Sequence, residues 1–273
     1  MKIAFFGTPE FTVNFLETLK SSGFCPSLVV TNPDRPSGRG MVMTSPLPKK
    51  WADENSIKVL QPEKLGDEVF EELSKDSWDL FVVIAYGKII PERFINLPKF
   101  GTINLHYSLL PKYRGATPVE SAILAGDEIS GITIQKMRFK LDTGPIIFQE
   151  EMNVDASDTT LTLREKMNHR AQYVLPEIIK SIFENKVTET EQDESLATHC
   201  GKISKEDGQI SLEDDPITLD RKWRAYQGWP GLYFFQNGKR IKITKAHFNG
   251  EHFVIEEVVP EGGKKVSYQS FVK

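Results

Sequence analysis

The amino-acid sequence predicts an α/β protein: a parallel sheet covered by helices, followed by a smaller β-rich domain. Three observations carry that reading. Over the first two thirds of the 273 residues, short apolar runs alternate with stretches of helical periodicity. Residues 184–195, rich in Glu, Thr and Asp, then have the composition of a linker. Beyond them, strand-like runs are separated by Asn237-Gly238, Asn249-Gly250 and Gly262-Gly263, pairs that favour hairpin turns.

Taken in order, residues 2–6 form a strand pattern and residues 10–19 an amphipathic helix, entered through Pro9, which suits a first helical turn. The turn between them, Phe6-Gly7-Thr8-Pro9-Glu10, has a single glycine where a dinucleotide-binding turn needs three, which argues against NAD or FAD. Strand patterns follow at 28–31, 80–85, 102–105, 132–137 and 146–152, with helices expected at 64–75 and 117–125. Such alternation puts ligands at the carboxyl ends of the strands. Residues 158–184 read as a long helix that Pro176 should kink. The expected limits are a Rossmann-like domain over 1–184, a linker over 185–203, and a small domain over 204–273. In the last, runs at 232–235, 240–245 and 253–259 predict a small β-barrel or open sheet.

Composition narrows the function classes. With 34 Lys and Arg against 38 Asp and Glu, the net charge of −4 does not suit a protein that coats nucleic acid by bulk electrostatics. Two local clusters depart from that balance. Arg221, Lys222, Arg224, Lys239, Arg240, Lys242 and Lys245 lie in a stretch without acids, and Arg35, Arg39, Lys49 and Lys50 are offset only by Asp34. Such patches suit either a solvated face or a polyanionic partner. No apolar run is long enough to span a membrane and no signal-peptide layout opens the chain, so a cytoplasmic protein is expected. Cys25 and Cys200 are far apart and lack metal-ligand spacing, so neither a disulfide framework nor a metal is expected.

The candidate chemistry sits at strand ends. In Asn104-Leu105-His106, period-two alternation directs the amide and the imidazole to the same side. Downstream, Leu141-Asp142-Thr143-Gly144 supplies a carboxylate followed by a flexible turn. An Asn, a His and an Asp so disposed suit acyl transfer, with donors for an oxyanion and a carboxylate to orient the imidazole. Spacing alone leaves open a structural histidine and a turn aspartate.

The longer segment Asn104-Leu105-His106-Tyr107-Ser108-Leu109-Leu110-Pro111-Lys112-Tyr113-Arg114-Gly115-Ala116, joined to the later Leu141-Asp142-Thr143-Gly144, resembles the signature of the folate-dependent formyltransferases. The resemblance implies Asn104, His106 and Asp142 as catalytic residues and 10-formyltetrahydrofolate as a consumed co-substrate. It also implies a pterin site formed by Tyr86, Gly87, Ile89, Ile90, Ser108, Leu109, Leu110 and Pro111. Physically, Gly87 allows close backbone approach and the two isoleucines can wall a flat ring.

Within that family, the loop from Asn32 to Met41, the segment Lys202-Ile203-Ser204-Lys205 and the run Trp229-Pro230-Gly231 resemble the branch that acts on tRNA. This implies initiator methionyl-tRNA as acceptor, contacted by Arg35, Arg39, Lys202 and Lys205, an OB-like second domain, and a monomer. Where that domain usually has several more strands, the chain passes quickly to residues 253–258, so a truncated barrel is expected. A sugar N-formyltransferase and a formyltetrahydrofolate hydrolase share the same three residues and stay open. So does a non-enzymatic folate- or RNA-binding protein with a relic site.

Overall fold

The computed structural model describes residues 1–38 and 40–272; Arg39, one of the expected RNA contacts, lies outside the described residues. In chain order the elements begin with β1 (Ile3–Gly7), α1 (Thr12–Ser21), β2 (Leu28–Val30), β3 (Arg35–Ser37), β4 (Val42–Thr44), α2 (Leu47–Glu54), β5 (Lys58–Leu60) and α3 (Asp67–Ser74). They continue with β6 (Leu80–Ile84), α4 (Glu92–Ile95), β7 (Thr102–His106), β8 (Arg114–Gly115), α5 (Pro118–Ala125), β9 (Ile129–Lys136), β10 (Ile146–Asn153) and α6 (Thr160–Phe183). The last are β11 (His199–Cys200), α7 (Pro216–Ala225), β12 (Tyr233–Gln236), β13 (Lys239–Phe248), β14 (Phe253–Pro260), β15 (Val266–Ser267) and α8 (Tyr268–Phe271).

By packing, the chain divides into two compact units, residues 1–114, 131–150 and 167–198 forming the first and 115–130, 151–166 and 199–273 the second. These limits differ from the expected continuous 1–184 because α5 packs against α7. The expected linker is not loose either. Thr190 exchanges two backbone hydrogen bonds with Ile146, and Arg114 N–H donates to the Thr198 carbonyl.

The first unit is built on a seven-stranded sheet in the order β10-β9-β7-β6-β1-β2-β5. The strands from β5 to β7 pair in parallel, as expected, whereas β9 pairs with β7 antiparallel. The five-residue strands β1 and β6 are buried throughout, as strands covered on both faces must be. Phe6 anchors one face of the core, with its ring 5.1 Å from Phe81 and 5.5 Å from Tyr86. The register sets Asn104 between Val83 on one side and Gln135 on the other. The long α6 continues through Pro176 as one helix.

The second unit carries an antiparallel sheet ordered β12-β13-β14-β15, an open four-stranded form of the expected barrel-like domain. Its helix α7 is capped by Asp215, which accepts from the Thr218 N–H at 2.9 Å, with Pro216 in the first turn. Residues from α5 and α7 can approach closely because Gly126, at φ +73°, leaves room for the Arg221 guanidinium that a Cβ would meet at 2.1 Å.

Candidate active site

Strand β7 ends on His106, which is buried at 5% exposure, with Asn104 half-buried two residues earlier on the same side. The His106 Nε2–H donates to the Tyr113 carbonyl at 2.9 Å. A carbonyl can only accept, so in the neutral ring this bond places the proton on Nε2 and leaves Nδ1 as the unprotonated nitrogen. Nδ1 faces the Asp142 Oδ2 at 3.7 Å, an ion-pair distance slightly beyond a hydrogen bond.

Asp142 sits at φ +53°, a left-handed conformation that few residue types tolerate, and several bonds keep it there. The buried Gln135 amide donates to Asp142 Oδ1 at 2.8 Å and accepts from the Gly144 N–H at 3.2 Å. Gln192 Nε2 donates to the Asp142 and Gly144 carbonyls at 2.9 and 2.7 Å. The Gln192 oxygen in turn accepts from Nε and Nη2 of Arg114, whose guanidinium also meets Glu194. Glycine is required at 144 because a Cβ there would lie 1.7 Å from the Lys136 carbonyl. Arg114, Gln135 and Gln192 escaped the sequence reading. The first stood inside the quoted motif, and the other two meet Asp142 only through tertiary contact.

Beside Asp142 lies a cavity of about 260 Å³ walled by Ile89, Ile90, Met137, Phe139 and Leu141, with Gln135 and Arg138 among its polar groups. Of the expected pterin residues, Ile89 and Ile90 line it; Ser108, Leu109, Leu110 and Pro111 do not. The serine hydroxyl closes its own turn instead, donating to the Lys112 carbonyl at 2.5 Å. Thr133 ties that turn to β9 by donating to the Ser108 carbonyl and accepting from the Leu110 N–H. Gly87, at φ +77°, has open space where a side chain would project, so backbone approach is possible there. The Tyr86 hydroxyl is buried without a hydrogen-bond partner, and burial pushes its pKa up to about 12. Tyr86 is not among the lining residues, but a largely apolar cavity that also presents the Gln135 amide fits a pterin-type ring in character. Phe139 and Leu141, 61% and 68% exposed, are further apolar wall residues that the motif reading passed over.

The early basic loop is a hairpin of β3 and β4, pairing Arg35 with Thr44 and Ser37 with Val42. Arg35 meets Glu63 at 2.5 Å on the surface. Met41, Val42 and Met43 at the tip are all more than 60% exposed, an apolar feature the charge pattern did not signal. Lys202 and Lys205 are exposed residues of the second unit.

Comparison with known proteins follows the same division of labour. Residues 1–179 match the formyl transferase family and residues 202–253 the formyl transferase C-terminal domain. A methionyl-tRNA formyltransferase from Caldicellulosiruptor saccharolyticus is 39% identical over 301 aligned positions, covering 100% of this chain and 96% of that protein. Among solved structures, a methionyl-tRNA formyltransferase from Clostridium thermocellum superposes with a TM-score of 0.65 at 15% identity, over 98% of this chain and 99% of that one. An N-formyltransferase from Helicobacter canadensis, in complex with folinic acid and dTDP-3-aminofucose, gives 0.67 at 21% identity, over 93% and 95%. At those identities the two structures establish a shared fold.

Proposed function

The chain belongs to the formyl transferase family, and from that premise we propose that it moves the formyl group of 10-formyltetrahydrofolate to the α-amine of methionine on initiator methionyl-tRNA. The observation that carries the chemistry is the His106–Asp142 pair, held with Asn104 next to an apolar slot. The acceptor rests on the full-length relationship to a methionyl-tRNA formyltransferase.

The folate supplies an activated formyl carbon. Asn104 donates a hydrogen bond to the formyl oxygen, where negative charge develops as the amine attacks. His106, its Nε2–H anchored on the Tyr113 carbonyl, presents Nδ1 toward the reacting centre and Asp142. As the new C–N bond forms, the bond from the formyl carbon to the folate nitrogen breaks. The amine then loses a proton and the departing nitrogen gains one. Asp142 and His106 hold that proton in transit. The apolar slot walls of Ile89, Ile90, Phe139 and Leu141 seat the ring of the folate beside Asp142. Arg35, Arg39, Lys202 and Lys205 belong to the RNA-contacting set on this reading.

Formyl transfer from 10-formyltetrahydrofolate is measured at a stated salt concentration with methionine-charged initiator tRNA, charged elongator tRNA, a nucleotide-linked amino sugar, or no acceptor. Turnover is expected with charged initiator tRNA. Turnover only with the amino sugar would overturn the acceptor, and turnover without any acceptor would make the protein a hydrolase.

A further inference from the structure

Within the second unit, a cavity of about 500 Å³ opens between the start of α6, the end of α7 and the segment around Lys202. Its floor is fixed by the Thr160 hydroxyl, which donates to the Ala225 carbonyl at 2.7 Å. Leu161, Ile203 and Trp229 give it apolar walls, and Arg164, Lys202 and Gln227 give it polar ones. The chemistry of these groups is uneven. Arg164 is matched by Glu120 at 2.6 Å, and Glu120 is the one acid lining the cavity. Among the described residues, none pairs by hydrogen bond or ion pair with the Lys202 ammonium, the Gln227 amide or the Trp229 indole N–H. Trp229 remains 53% exposed although Pro230 beside it is buried.

An uncovered indole face beside an excess cation and a free amide forms a set suited to one kind of ligand. A base stacks on an aromatic face whatever its sequence, a side-chain amide pairs with a base edge, and a lysine neutralises the phosphate. A wholly apolar occupant would leave the lysine and the amide without partners, at a desolvation cost. The volume suits one nucleotide. Gly228, at φ +88° with nothing within 4 Å of a notional Cβ, keeps the backbone before the indole clear.

We propose that this cavity binds one unpaired nucleotide of the tRNA acceptor strand, its base stacked on Trp229, its edge on Gln227 and its phosphate on Lys202. The proposal rests on the tRNA acceptor reading given above, and its test separates the two. An uncharged single-stranded oligoribonucleotide ending in ACCA is titrated against the full chain and against Trp229→Leu, Trp229→Tyr and Gln227→Ala, with folding verified by circular dichroism. The leucine variant should bind at least about tenfold more weakly, the value stacking on one aromatic ring supplies. The tyrosine variant, which keeps a ring, should recover most of the loss. KM for charged tRNA should rise in parallel with the weakened oligonucleotide binding. Equal binding by the parent chain and the leucine variant would overturn the proposal, as would failure of the parent chain to bind the oligonucleotide. Loss of a dimer in the leucine variant, seen by sedimentation, would assign the face to a second copy and also overturn it. If charged tRNA is formylated with an unchanged KM in Trp229→Leu, the nucleotide site falls and the acceptor reading stands. If the oligonucleotide binds through Trp229 but no tRNA is formylated, the acceptor reading falls instead.

Discussion

Asp142 can serve His106 only while its carboxylate keeps one oxygen turned toward Nδ1, and a residue in a left-handed conformation does not hold that pose unaided. The Gln135 amide holds it by donating to the other oxygen while accepting from Gly144, two bonds from one buried side chain. Replacing Gln135 by Met keeps the volume and removes both bonds. We expect kcat to fall by roughly ten- to a hundredfold, with little change in KM for the folate, because misplacement of a reacting group by an ångström costs about that much. Steady-state kinetics would check this, and an unchanged kcat would show that Asp142 is held without the amide. Gln135→Glu adds a readout that a packing role would not move. A charged carboxylate beside Asp142 repels it, whereas the protonated form can donate as the amide does, so activity relative to the parent chain should rise as pH falls. Asn104→Ala, which removes the donor proposed for the formyl oxygen, should cost about 10²- to 10³-fold in kcat in a folded protein. Near-parental turnover would remove Asn104 from the catalytic set.

Elements differ in how they are held, and that difference decides what the sequence reveals of them. Strands β1 and β6 are apolar runs because the sheet is covered on both faces, so their positions are legible from hydropathy alone. The hairpin of β3 and β4 is exposed at every residue of both strands and gives no such pattern. Its base depends on Asp34, which accepts from Gln61 at 2.7 Å, from Ser45 at 2.9 Å and from Lys49 at 3.0 Å. These donors, Gln61 foremost and Lys49 next, lower the Asp34 pKa to about 2 from an ordinary value of 3.8. A carboxylate depressed in the folded state contributes stability that is complete above the unfolded value and is lost as pH falls through the folded one. Proteolytic cleavage within the hairpin should therefore accelerate between about pH 4 and pH 2 relative to cleavage elsewhere. Asp34→Asn, which cannot titrate, should remove that acceleration. A chain whose hairpin is cleaved at the same relative rate throughout this window would show that Asp34 does not anchor it. The same logic explains why residues 184–195 read as a linker. Their attachment runs through polar groups, Gln192 to Asp142 and Arg114 to Glu194, which composition does not distinguish from solvation.

For the whole molecule, a net charge of −4 gives no long-range pull on RNA, so tRNA use has to rest on local cations. The sequence shows seven of these between Arg221 and Lys245 without an acid among them. Folding neutralises part of the run. Helical spacing brings Asp220 to Arg224 at 2.7 Å, the adjacent antiparallel strand brings Glu256 to Lys245 at 2.6 Å, and Asp214 lies 3.8 Å from Lys222. Charge clustering along the sequence thus overstates charge clustering in space, because acids just outside the run fold back onto it. Lys205 lies outside that neutralised group and is exposed. If it contacts a phosphate, kcat/KM for charged tRNA should fall with salt along a logarithmic slope that Lys205→Gln reduces by roughly one, as the release of one condensed counterion requires. The dependence of KM for 10-formyltetrahydrofolate on salt should be the same in both proteins, since Lys205 does not line the slot beside Asp142. Measuring kcat/KM across a salt series decides the point: parallel slopes would take Lys205 out of the RNA-contacting set, and a slope reduced for both substrates would indicate a general loss of charge rather than a lost phosphate contact.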